Sequence, residues 1–236
     1  MRCYTTLVDV TEDGYSVQLK ARFSNEWHKA HVDHPFIEGI RDGSLSMARF
    51  SYFMRQDYLF LIEYCRVIAL AVAKSTDLAT MGWWARLLNE TLHSEMDLHR
   101  SFCADFSITR EDLENTEIMP ATAAYTDYLV RIAFEGTVEE IAATLLPCQW
   151  GYDEIGRRLS TSMTAPEGSF HHRWVAGYTA PEYQQVTDWL RRFFDEQAAA
   201  ASSVMRNRMA DAFVSSIRHE LNFWQAAWDL QGWLER

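Results

Sequence analysis

The chain has 236 residues, 48% of them apolar and nine of them tryptophan, and its formal net charge is −11. Such a supply of apolar surface supports one sizeable core, while only 10 glycines and 5 prolines favour long regular elements. The acidic balance argues against nucleic acid or an anionic membrane as partner, because both demand a basic face.

Helical periodicity dominates the pattern along the chain. Residues Met1 to Gly14 read as an extension, with strand-like alternation only at Cys3 to Val10, too short for a sheet. A first helix is predicted over Ser16 to Val32, followed by a short element at Pro35 to Arg41 that Asp42-Gly43 closes. Ser46 is the expected N-cap of a helix reaching Lys74, and Ser75-Thr76-Asp77 caps another expected to run unbroken to Asp105. Ile108 to Met119 reads as a connector with one helical turn. Pro120 opens a helix that Gly136 ends. Thr137, with Glu139 and Glu140, caps a helix from Val138 to about Arg158. After a loop over Ser162 to Ser169 come a short helix at His171 to Ala176, a helix from Pro181 to Ala200, and a last one from Ser203 to about Leu234. Together these predict one all-α domain, a single-domain helical bundle over residues 15–236.

Cys3, Cys65, Cys103 and Cys148 lie far apart with no CxxC pair, which excludes a zinc ribbon and does not resemble a disulfide framework. The N-terminus lacks the apolar core of a signal peptide. The most apolar window, Leu59 to Ala73, is broken by Glu63 and Arg66, so no membrane span is expected. A soluble, reduced, cytoplasmic protein is the expectation.

The most informative stretch is Leu145 to Glu154. Pro147 stands inside a helical pattern, where it has no N–H for the carbonyl of Ala143 and bends the helix. Cys148 follows it, and one turn later Tyr152 shares its face. Cys148 is open to two readings, a small core residue or a thiol aimed into a site. Asp57, between Phe53 and Phe60, and Glu220, among Val214, Ile217, Phe223 and Trp224, place ionisable groups within apolar stripes. Either alone could be a half-exposed salt-bridging residue. Two such groups, with Cys148 and Tyr152, favour a pocket inside a bundle.

Glu90-x-x-His93 has the spacing used in carboxylate-bridged di-metal bundles, but the only candidate for a second motif, His219-Glu220, points its side chains about 100° apart. No metal site is expected. Glu95 and His99 read as a structural i, i+4 pair, and His171-His172 as surface residues.

An ordered set of segments carries a family resemblance. It comprises His34-Pro35-Phe36 with Gly39 and Asp42-Gly43, then Gln56-Asp57-Tyr58 and Glu95-Met96-Asp97-Leu98-His99. It continues with Pro120-Ala121-Thr122 and Tyr125-Thr126, and with Leu145-Leu146-Pro147-Cys148, Trp150, Tyr152 and Glu154. Trp174 to Tyr178 and Glu220 with Phe223-Trp224 complete it. From the first helix onward the chain resembles the TenA (thiaminase II) family, in its cysteine-containing branch.

The resemblance implies a haem-oxygenase-like all-α fold, a homotetramer and hydrolysis of the exocyclic C–N bond of 4-amino-5-aminomethyl-2-methylpyrimidine, with thiamine a possible second substrate. It also implies Cys148 as nucleophile, Glu220 as acid/base, Asp57 as the pyrimidine-binding carboxylate, and Tyr125, Tyr152 and Tyr178 as pocket phenols. No cofactor is implied. Phe60 departs from the pattern, standing where many members carry a tyrosine, so a hydroxyl contact is missing or supplied elsewhere. Phe53, Phe60 and Trp224 are candidate stacking walls. Two rival readings share the fold, a di-metal oxygenase using Glu90, His93 and His219, and a non-catalytic pyrimidine-binding regulator.

Overall fold

The computed structural model describes residues 14–106 and 108–234; the extension's first 13 residues, with their Cys3–Val10 alternation, lie outside it. Every regular element among the described residues is a helix. Two long helices, α4 (Met47–Lys74) and α9 (Val138–Ser162), run through the interior. Against α4 lie α5 (Leu78–Glu90), α6 (Met96–Asp105), α7 (Arg110–Glu114) and α8 (Pro120–Glu135). Around α9 lie α2 (Ser24–His31), α3 (Pro35–Asp42), α8, α10 (Phe170–Tyr178), α11 (Pro181–Ala200) and α12 (Ser203–Asp229). The short α1 (Tyr15–Arg22) packs on α11.

Local signals explain most boundaries. Ser46 accepts from the Arg49 N–H and Asp77 from the Thr80 N–H, so each supplies one of the acceptors a helix start lacks. At the start of α9 the Thr137 N–H donates to the Glu140 carboxylate at 3.1 Å. Gly43, at φ 79°, ends α3 in the left-handed region that glycine enters freely. Pro120 and Pro181 open their helices, where a missing N–H costs nothing.

Four departures from the sequence reading have physical causes. The first helix is two, broken at Phe23 (φ −107°, ψ 31°), so that α1 can lean on α11 while α2 follows α9 and α12. Its N-terminus is held in tertiary fashion, since the backbone N–H and the hydroxyl of Ser16 both donate to Asp195 on α11. The helix expected to run unbroken from the Asp77 cap to Asp105 contains a π turn, Thr91–Glu95. There the Thr91 hydroxyl donates back to the Leu87 carbonyl at 3.0 Å and competes with the regular ladder. The last helix stops at Asp229, with Leu230 left-handed at φ 53°, and the tail turns back so that Trp233 donates to the Ile118 carbonyl. Finally, His171 is buried rather than a surface residue, with its ring stacked on Phe170 at 3.8 Å.

The core is aromatic throughout. Phe53 stacks on Trp224 at 5.2 Å, Trp27 meets Trp150 at 4.9 Å, and Trp84 meets Trp189 edge-on at 5.0 Å. No described helix is long and apolar enough to cross a membrane.

Because helices enclose α9 on every side, its close approaches matter. A Cβ on Gly151 would fall 2.3 Å from the imidazole of His31, which is fully buried on α2. Gly151→Ala is therefore expected to destabilise the fold by roughly 2–3 kcal/mol, lowering the melting temperature by about 5–10 °C. Circular dichroism melts will measure it, and an unchanged midpoint would show that α2 yields without cost.

Candidate active site

Burial on all sides means that any polar group on α4, α9 or α12 that faces inward must find its partner there. Cys148 and Tyr152, one turn apart, do share a face of α9. With Gln149 they line a small inner cavity, together with Asp57, Phe60, Leu61 and Tyr64 from α4, Glu95 from the π turn and Tyr183 from α11. A more open recess adjoins it, sharing Glu95, Gln149 and Tyr183 and adding Tyr178. Glu95 on the π turn and Tyr183 at the start of α11 stand between the two.

Glu220 reaches this site from behind. It is 2% exposed, and the Tyr125 hydroxyl donates to its Oε1 at 2.8 Å. The Cys148 thiol stands beside the same carboxylate, near enough that each perturbs the other. Burial pushes the Glu220 carboxyl up to about 7, with Tyr125 and Cys148 opposing the shift. Burial and then the carboxylates Glu220, Asp57 and Glu95 hold Cys148 well above an ordinary thiol, so it rests protonated.

A chain of hydroxyls continues from Glu220. Tyr125 meets Ser216 Oγ at 2.8 Å, and Ser216 donates to the Thr144 carbonyl at 2.6 Å, three residues before Pro147. The Ser216 proton is committed to the Thr144 carbonyl, so the Tyr125 proton turns to Glu220 when that carboxyl is ionised and to Ser216 when it is neutral. That is a property a carboxyl needs if it is to take a proton and return it.

Asp57 sits deep in α4 and receives His99 Nε2 on its Oδ2 at 2.6 Å, with both side chains buried. Glu95, in the π turn, is pushed up to about 7 by burial, with His99 the strongest opposing influence and the Tyr178 hydroxyl also bonded to it. Burial thus brings two carboxyls of the site to about 7, Glu95 beside His99 and Glu220 beside the thiol.

Several sequence expectations change place. Tyr125 does not line the cavity; it holds Glu220, and its ring packs on Phe60 at 4.9 Å. Tyr178 faces the outer recess, its ring tilted against that of Tyr152 at 4.8 Å. Phe60 does line the cavity and offers only an apolar face. Phe53 and Trp224 lie one layer behind, Trp224 meeting Tyr152 at 5.3 Å. Glu95 and His99, read as a structural pair, are tied through the Glu95 carbonyl at 2.9 Å and also reach the site. Tyr64, Gln149 and Tyr183 were not anticipated. Tyr64 lies seven residues after Asp57 on the same helix face, which periodicity could have shown; Tyr183 comes from a distant helix and carried no signal.

Among the described residues no group of three or more His, Cys, Asp or Glu is arranged to hold a metal ion. His219, needed by the di-metal reading, is stacked on the rings of Tyr125 and Tyr128 at 5.2 and 4.9 Å. Glu90 accepts from the Ser94 hydroxyl.

Residues 21–230 match the model of the TENA/THI-4/PQQC family. The chain belongs to that family. It is 39% identical over 205 residues to an aminopyrimidine aminohydrolase of Halalkalibacterium halodurans, covering 87% of this chain and 92% of the relative. Among solved structures, a TenA family transcription regulator from Silicibacter sp. TM1040 superposes with a TM-score of 0.84 at 29% identity, over 90% of this chain and 96% of that one. A domain of unknown function from Shewanella denitrificans, described as having a haem oxygenase-like fold, superposes at 0.70 with 14% identity, over 95% of this chain and 94% of that one. That last likeness concerns the fold alone, and the haem-oxygenase-like bundle is the architecture found here.

The raised carboxyl of Glu220 has a consequence for stability. A carboxyl whose pKa rises on folding stabilises the fold below its unfolded value, 4.5, and loses that contribution as pH rises through about 7. Glu220→Gln mimics the neutral acid. It is expected to melt level with the parent at pH 5 and higher at pH 8, by up to an amount on the order of 3 kcal/mol. Calorimetry at the two pH values checks this, and an equal effect at both would remove the assignment.

Proposed function

We propose that the chain hydrolyses the exocyclic C–N bond of 4-amino-5-aminomethyl-2-methylpyrimidine, releasing ammonia and 4-amino-5-hydroxymethyl-2-methylpyrimidine for thiamine salvage. The observation that carries this reading is the meeting of the Cys148 thiol with the Glu220 carboxyl at a cavity that Asp57 lines. The 39% identity to an aminopyrimidine aminohydrolase supports it.

Each residue has a role that its surroundings suit. Asp57 accepts hydrogen bonds from the amino edge of the ring and so fixes its orientation. Glu220, as carboxylate, takes the proton of Cys148, and the thiolate sulfur forms a bond to a ring carbon, ending aromaticity. Glu220 then gives that proton to the leaving amine as the exocyclic C–N bond breaks, with the ring's electron pair moving out behind it. Water adds to the exocyclic carbon and passes its spare proton to Glu220. Expulsion of the thiolate restores the aromatic ring, and the proton returns to sulfur. Substrate and water are consumed, alcohol and ammonia appear, and the enzyme is unchanged.

Phe60, Tyr152 and Tyr64 give the ring a largely aromatic berth inside the cavity. Thiamine shares the pyrimidine and differs in what leaves. Its larger leaving group would occupy the outer recess beyond Glu95, which makes it a second substrate on this reading.

Cys148→Ala is expected to abolish hydrolysis of the aminopyrimidine, falling by 10³-fold or more, while still binding the ring; near-parent turnover would sink the nucleophile assignment. Glu220→Gln should lower kcat about 10²–10⁴-fold with KM little changed. The parent's rate should rise with pH to a plateau above about 7, where Glu220 is ionised. Tyr125→Phe removes the donor that stabilises that carboxylate, so the rising limb should move to higher pH. A limb that stays in place would show that Tyr125 acts only through packing.

A further inference from the structure

His99 is closed into the bundle at 1% exposure, and neither ring nitrogen is free. Its Nδ1 lies 2.9 Å from the backbone carbonyl of Glu95, in the π turn. A carbonyl oxygen can only accept, so Nδ1 carries a proton. Its Nε2 lies 2.6 Å from Asp57 Oδ2, a separation that also requires a proton between the two atoms. That proton belongs to one of two arrangements: an imidazolium beside a carboxylate, or a neutral imidazole accepting from a carboxylic acid.

The surroundings decide between them. The titratable groups around the cavity are Asp57 and Tyr64 on α4, Glu95 on the π turn, Cys148 and Tyr152 on α9, Tyr178 on α10, Tyr183 on α11 and Glu220 on α12. All of them are neutral or anionic, and His99 is the basic group among them. Burial disfavours an imidazolium, but Asp57 and Glu95 outweigh it and raise the His99 pKa above its ordinary value. The backbone tie adds a geometric constraint, because the ring cannot turn away from Asp57 without leaving the Glu95 carbonyl unpaired.

We propose that His99 is a positioning residue: an imidazolium that keeps Asp57 ionised, occupies its Oδ2 and leaves Oδ1 as the single acceptor for the amino edge of a 4-aminopyrimidine. The proposal rests on the pyrimidine reading of the site. It extends that reading by assigning ring recognition to a pair of residues, one of them anchored on the π turn. A neutral Asp57 acid would hand the ring a proton donor where an amino group needs an acceptor. Ligands with a 4-oxo group in place of the 4-amino group should therefore bind poorly to the parent.

Two measurements test it. Nitrogen-15 spectra of histidine-labelled protein at pH 7 are expected to show His99 with protons on both ring nitrogens. A bare Nε2 would overturn the proposal whether or not any variant folds. The second measurement uses His99→Asn, which retains a donor for the Glu95 carbonyl and withdraws from Asp57, and His99→Gln, which retains a neutral donor toward Asp57.

With 4-amino-5-hydroxymethyl-2-methylpyrimidine as the titrant, His99→Asn should weaken binding tenfold or more and raise KM in step, with kcat within about threefold at pH 8. His99→Gln should recover part of the affinity. A folded His99→Asn with parental Kd and KM, or one that loses kcat alone, would overturn the assignment. If the parent binds the pyrimidine but does not turn over the aminomethyl compound, the hydrolase reading fails while the ion pair stands or falls on its spectrum.

Discussion

The rest of the structure is arranged around carboxyl groups held inside an aromatic core. Asp57 and Glu220 are nearly sealed from solvent, and Glu95 closes the space between the inner cavity and its outer recess. An isolated buried carboxylate would be expelled or neutralised. Here the three are treated differently. Asp57 meets His99, whereas Glu95 and Glu220 move to about 7 and so can exist in either state near neutral pH. The differences in partner separate a group suited to binding from groups suited to proton transfer.

Holding those states apart requires a scaffold that does not relax. Phe53, Trp224, Tyr152, Trp174 and Tyr178 form a continuous set of ring contacts behind the cavity, none longer than about 6 Å between adjacent rings in the wall. Small residues on α9 let this wall close. Gly156 admits the backbone and Cβ of Tyr178, where an added Cβ would meet the tyrosine at 3.0 Å. That approach brings the Tyr178 hydroxyl to Glu95. A packing choice on one face of α9 thus supports a hydrogen bond on the other side of α10.

What the sequence made legible was whatever depends on local periodicity or on a residue type with one physical use. Ser46 and Asp77 announce helix starts by their side-chain oxygens. Cys148 and Tyr152 share a face by their spacing alone. The π turn was hidden, because no glycine or proline marks it. Its consequences were hidden with it. Glu95 and His99 have the spacing of an ordinary exposed pair, and only the packing of α6 on α4 reveals that His99 reaches Asp57. Tyr125 presented a related difficulty. A phenol in an apolar stripe says nothing about whether it faces the ligand or the residue behind it.

The protonation of Cys148 joins these strands. A nucleophilic thiol is usually activated by a nearby cation, yet the charges that act most strongly on Cys148 are carboxylates. At rest the site therefore favours the thiol, which is inert toward stray electrophiles and oxidants. On the proposed reading the thiol gives its proton to Glu220 only when a ring is present for sulfur to attack, because the same carboxylates that accept the proton oppose a free thiolate. Activation then follows recognition, and the carboxyl cluster contributes to both.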